Sequence, residues 1–98
     1  MEMRYTVVLH SPLGERRGKL YLTLSAEEVQ GSLTLLSHTT RVAGTCTEGI
    51  CLLTGELHTL LHSIPWQGEG RLDSKSLDLR LHGLRGSYRL TGVAEENA

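Results

Sequence analysis

The chain contains no phenylalanine, one tryptophan and three tyrosines, so it lacks the interleaved aromatic side chains on which single-stranded nucleic acid stacks. Its net charge at neutral pH is -1, with no basic excess to neutralise a phosphate backbone, and nucleic acid is not an expected partner. There are two cysteines, and the arrangement Cys46-x4-Cys51 has no second pair to complete a zinc site. No apolar run approaches the roughly 20 residues of a membrane-crossing helix, so no membrane partner is expected. No Gly-x-Ser-x-Gly elbow, phosphate loop or dinucleotide fingerprint occurs. These absences remove the usual marks of an enzyme, and no cofactor is expected.

What is present is regular. The composition, 39% hydrophobic and 21% charged over 98 residues, is that of one globular domain, assigned to residues 1–98. Residues 1–10 alternate apolar with polar and carry Glu2 and Arg4, unlike a signal or transit peptide, which favours a cytoplasmic location. Alternation with a period of two recurs along almost the whole chain and a helical period is scarce. It predicts an all-β antiparallel up-and-down meander of about eight strands, near residues 3–10, 19–25, 28–36, 41–47, 50–61, 65–73, 76–82 and 87–93.

The turns keep one face apolar, which matters because a slip of one residue would send every side chain to the opposite face. A turn at 25–28 sets Leu24 opposite Val29, Leu22 opposite Gly31 and Leu20 opposite Leu33. A turn at 37–40 sets Leu35 opposite Val42. Glu48-Gly49 suits a two-residue type I′ turn and brings Cys46 opposite Cys51. Ser74-Lys75 sets Leu72 opposite Leu77, and 83–86 sets Leu81 opposite Tyr88 and Leu79 opposite Leu90.

Gly18, Gly31, Gly44, Gly55, Gly68 and Gly92 recur about one strand and turn apart, mostly on the apolar face. Inward glycines mark tight curvature or the close approach of another backbone. The predicted fold is therefore a small closed barrel, with 88–92 pairing beside 5–9, and the alternative is a flattened sandwich. The repeated hairpins resemble lipocalins and other calycins in architecture over most of the chain. The Gly-x-Trp signature of lipocalins is missing, since 3–10 contains no tryptophan and Trp66 follows Ile64-Pro65.

The candidate site residues follow from this frame. Trp66, Tyr5 and Tyr88 are the large side chains expected inside, grouped at a mouth where they would orient a small apolar ligand, although leucines can fill such an interior unaided. Leu60, Leu61 and Ile64 belong to an apolar corner at 60–66, unusual for a solvated loop, which points to a protein contact or a homo-oligomer. Arg4, Arg71, Arg80 and Arg89 fall outward on successive strands as an anion-binding stripe, interrupted by Glu69, Asp73 and Asp78. His58 and His62 have a zinc-ligand spacing only if helical, and the segment reads as strand. Glu56 and Glu69 form an outward carboxylate pair near His58 that reads as a solvated charge pair. Cys46 and Cys51 are read as reduced thiols on compartment grounds. The leading functional expectation is a non-catalytic binding or assembly module acting through a surface or a homo-oligomeric interface. The alternative is a carrier of a small apolar ligand in the barrel interior.

Overall fold

Alternating residues send successive side chains to opposite faces of extended backbone. In the computed structural model this gives eight strands among the described residues: β1 (Glu2–Ser11), β2 (Gly14–Ser25), β3 (Glu28–Leu35), β4 (His38–Thr47), β5 (Ile50–His58), β6 (Ser63–Leu72), β7 (Ser76–Gly83) and β8 (Gly86–Ala94). All residues are described except 12–13, 36, 59–62, 84–85 and 96–98, and His58 is described by its backbone alone. Each strand pairs antiparallel with the next and β8 returns to β1, with Val7 opposite Gly92 and Leu9 opposite Leu90. The sheet is a closed barrel, not a sandwich, and among the described residues no strand keeps a free edge to template aggregation. Among the described residues no helix is long and apolar enough to cross a membrane.

Most hairpins adopt the register read from the sequence. Leu22 faces Gly31, Leu72 faces Leu77 and Leu79 faces Leu90. Glu48 and Gly49 both take positive φ, 53° and 82°, as a type I′ turn requires, and Cys46 faces Cys51. One register differs. The β3–β4 turn is two residues long, not four, so Leu35 faces His38 and Val42 faces Gly31. Ser37 supplies the left-handed backbone at φ 67°. The β-branched Thr39 and Thr40 then extend β4, and Thr34 and Thr39 share a hydroxyl hydrogen bond of 2.9 Å. The shift moves the register by an even number of residues, so the inside face is preserved. β2 also starts earlier than expected, because Glu15, Arg16 and Arg17 pair with β1. Glu95, which lies beyond the last strand predicted from the sequence, donates its backbone N–H to the Arg4 carbonyl at 2.9 Å.

The cysteines are joined. Cys46 and Cys51 form a disulfide with Cα atoms 4.1 Å apart, which corrects the expectation of free thiols: direct opposition across a two-residue turn brings the sulfurs within bonding reach.

The inward residues form one core that includes Val7, Leu20, Leu22, Val29, Leu33, Val42, Leu53, Leu79, Leu81 and Leu90. Its glycines sit where the neighbouring strand comes too close for a side chain. A Cβ on Gly44 would lie 1.9 Å from the Leu52 carbonyl oxygen, and one on Gly55 would lie 2.6 Å from the Trp66 ring. Tyr5 closes the end at which β1 begins. Its hydroxyl donates to the Asp73 carbonyl at 2.5 Å, while the Asp73 carboxylate accepts the backbone N–H groups of Lys75 and Ser76 at 2.7 and 2.8 Å. Those two hydrogen bonds hold the Asp73 carboxyl below the usual carboxylate range.

Three outcomes follow from this packing. Gly44→Ala forces backbone against backbone and should lower unfolding stability by at least about 2 kcal/mol, whereas Gly55→Ala meets chiefly the Trp66 ring, with the nearest backbone atom, the Arg41 carbonyl oxygen, at 3.1 Å, and should cost less; urea titrations of both variants check the order. Reducing the disulfide should remove roughly 2 kcal/mol on the loop-entropy estimate for so short a loop, and alkylation should label no cysteine without reductant. Burial, aided by the Asp73 carboxylate, raises the Tyr5 phenol above its ordinary value. Its contribution is thus fully present below the ordinary phenol range and lost as pH rises through the higher folded value. Tyr5→Phe should cost about 1 kcal/mol near neutrality, and its stability curve should converge with that of the parent at strongly alkaline pH.

Candidate functional site

Eight short strands enclose an interior that side chains can fill, and leucine and valine fill the middle of this one. The large side chains lie towards the ends. Tyr5 neighbours Ala94 on β8, whereas Tyr88 stands six residues earlier on that strand and faces Leu81, about 20 Å away at the usual strand rise. Trp66 faces Gly55 and Gly83, at the same end as Tyr88. The three aromatics therefore do not share one mouth. Tyr5 plugs one end, and Trp66 with Tyr88 lies at the other.

The Trp66 environment is unusual. Its indole lies over Gly55 and Gly68, and only 4% of the residue is exposed. The ring is thus clamped on two backbone surfaces, which is why those positions carry no side chain. Among the described residues its Nε1–H has no hydrogen-bond acceptor. A buried donor of this kind costs about 1–3 kcal/mol when left unmade, so each instance calls for an explanation. The inward positions beyond it are apolar or amphipathic: Leu57, Ile64 and Tyr88 are half-buried there. The hydroxyl of the buried Thr40 is already engaged, 3.4 Å from the Leu33 carbonyl oxygen. Leu60 and Leu61, with the rest of the predicted apolar corner up to His62, fall outside the described residues.

On the outer wall the predicted stripe is broken up. Arg80 and Arg89 face each other across β7 and β8. Arg89 is committed to Asp78 through two bonds, Nε to Oδ1 at 3.1 Å and Nη2 to Oδ2 at 2.6 Å. This fork holds the Asp78 carboxyl below the usual carboxylate range and raises Arg89. Arg71 faces Asp78, and Arg80 faces Glu69. Arg4 stands six residues from His10, the β1 neighbour of Arg89, and packs instead over the Tyr21 ring, 5.4 Å from its centroid. The wall is a mixed-charge lattice rather than a cationic track.

The carboxylate pair does not assemble. Glu69 faces Leu52, four residues along β5 from Glu56, a separation of about 13 Å at the usual strand rise. Glu56 accepts from the Ser63 hydroxyl at 2.8 Å. A hydrogen-bonded row does cross β6, β7 and β8: His82 Nδ1 lies 2.9 Å from Ser87 Oγ, and Nε2 lies 3.3 Å from Glu69 Oε1. The His82 and Glu69 side chains are 46% and 61% exposed, so water solvates both and nothing desolvates the row as acid–base chemistry requires. An open concavity of about 780 Å³ beside it is lined by outward residues that include Arg41, Thr54, Glu56 and Gln67, and it reaches Gly55 and Trp66 between them. Among the described residues no group of three or more His, Cys, Asp or Glu side chains could hold a metal ion. The His58 side chain and His62 lie outside the described set.

Sequence reasoning missed two features. Glu95 takes hydrogen bonds from Lys19 and, at 3.3 Å, from Thr6, and the Lys19 bond holds its carboxyl below the usual range; no local pattern signals so distant a pairing. The isolation of the Trp66 N–H was within reach of the sequence, because the register sets an inward glycine beside the tryptophan on the neighbouring strand.

No protein-family model and no curated protein matches this chain. Among solved structures, a redesigned β-barrel, mFAP1, bound to DFHBI, superposes over 96% of this chain and 93% of its own with a TM-score of 0.67. The two share 17% sequence identity, a likeness that establishes the barrel fold and nothing finer.

Proposed function

We propose that this protein is a non-catalytic binding module, folded as one domain over residues 1–98, whose site is the Trp66 end of the barrel. Its ligand is a small, mainly apolar molecule with one hydrogen-bond acceptor. The observation that carries this reading is the buried Trp66 Nε1–H, which has no partner among the described residues. A ligand acceptor would complete it, and the half-buried Leu57, Ile64 and Tyr88 would supply the apolar lining typical of such sites, with few polar groups to set orientation. Because leucines fill the middle of the barrel, the ligand sits above the Trp66 layer and not at the barrel centre. The binding of DFHBI by mFAP1 supports the reading to the extent that a barrel of similar fold can take a small molecule.

The compartment bears on this. The sequence favours the cytoplasm, while a Cys46–Cys51 bridge belongs to an oxidising compartment or a redox-responsive state. Thiol counting on protein taken directly from cells decides between them.

The test uses the single tryptophan as reporter. Native mass spectrometry of protein purified from cells, repeated under denaturing conditions, should show a small added mass that is lost on unfolding. Rebinding of the released molecule should change Trp66 fluorescence. Trp66→Phe keeps one six-membered aromatic ring and removes the pyrrole ring with its N–H; read by native mass spectrometry, it should fold and bind at least roughly tenfold more weakly, the hydrogen bond alone accounting for about that much. A bare mass in every preparation, or a ligand held equally well by Trp66→Phe, overturns the proposal.

A further inference from the structure

We infer that the outer face of β5 and β6, at the barrel end opposite Trp66, is a contact between two copies of this chain. The inference is independent of the ligand site. Ile50 and Leu52 project outward from β5 with exposures of 55% and 59%, two large aliphatic groups set side by side on a face whose other positions are polar. The sheet register arranges their neighbours as a grid. Thr47 and Arg71 flank Ile50, and Thr45 and Glu69 flank Leu52. Among the described residues Arg71 makes no ion pair, although it stands one inward residue away from Glu69 on the same strand.

The grid is self-complementary, and that identifies the occupant. A two-fold axis lying between two such faces and running across the strands sets Ile50 of each copy on Leu52 of the other. The same operation sets Arg71 on Glu69, twice, and Thr47 on Thr45. A C2 contact is made by one patch on both subunits, and here one patch supplies both charges at matching positions. A purely acidic or purely basic partner would satisfy only one of them. The Cys46–Cys51 bridge lies directly beneath, since Cys51 is the inward residue between Ile50 and Leu52 and is fully buried. It fixes the β4–β5 hairpin, so little order remains to be gained on association. The patch is small compared with the interfaces of stable dimers, which bury about 1,600 Å², so association in the micromolar range is expected.

Sedimentation equilibrium over a wide concentration range, at low and high salt, tests this. The parent should pass from monomer to dimer and no further. Leu52→Glu should shift the midpoint upward by at least about tenfold, as should Arg71→Glu and Glu69→Arg singly. The double exchange Arg71→Glu with Glu69→Arg should return the midpoint to within about threefold of the parent, because the pairs re-form between copies. All three positions are exposed, and Trp66 fluorescence confirms that each variant is folded. The double exchange cannot restore the Glu69–His82 contact, so its recovery reports on pairing between copies alone. A monomer at every concentration, a dimer indifferent to Leu52→Glu, or a double exchange no better than the singles overturns the inference.

Discussion

The structure depends on one constraint: every strand must send the same parity of residues inward around a ring that closes on itself. Eight strands meet it, and wherever a neighbour comes too close for a side chain the inward residue is glycine, as at Gly44 beside the Leu52 carbonyl. Closure removes both sheet edges and lets a chain without phenylalanine build its core from leucine and valine. It also leaves little room for polar atoms inside. An N–H with no partner in that setting is conspicuous, and among the described residues the Trp66 indole is such a group.

The two ends of the barrel are finished differently. At one, the Tyr5 hydroxyl meets the Asp73 carbonyl, the Asp73 carboxylate holds its own turn, and the disulfide pins the β4–β5 hairpin. Polar groups there are matched and the backbone is tied down. At the other, Trp66 rests on glycine backbone with its donor unmade. A rigid floor at one end and an incomplete polar group at the other is the division on which the proposed binding site rests.

The inside face was legible in the sequence because turn chemistry and hydrophobic alternation carry the same information twice. Glu48-Gly49 and the leucine spacing agree on the β4–β5 register, so either would have sufficed. At β3–β4 they did not. Ser37 through Thr40 looks like a polar loop, but Thr39 and Thr40 pack well in a strand, and alternation cannot separate two registers that differ by an even number of residues. Pairings distant in sequence were less legible. Lys19 meets Glu95 only because β8 closes on β1, and Arg4 leaves the other arginines because a curved sheet displaces residues along the strand as well as across it. Compartment was a poor guide to Cys46 and Cys51, whereas register placed them face to face.

The most direct test of the account reads the one indole N–H. A ¹H–¹⁵N spectrum of uniformly labelled protein contains a single indole cross-peak, from Trp66. In a closed barrel that peak should be protected from exchange with solvent while lacking the shift of a hydrogen-bonded indole. An indole that exchanges with water as freely as the unfolded chain would place Trp66 outside a closed barrel and contradict the account.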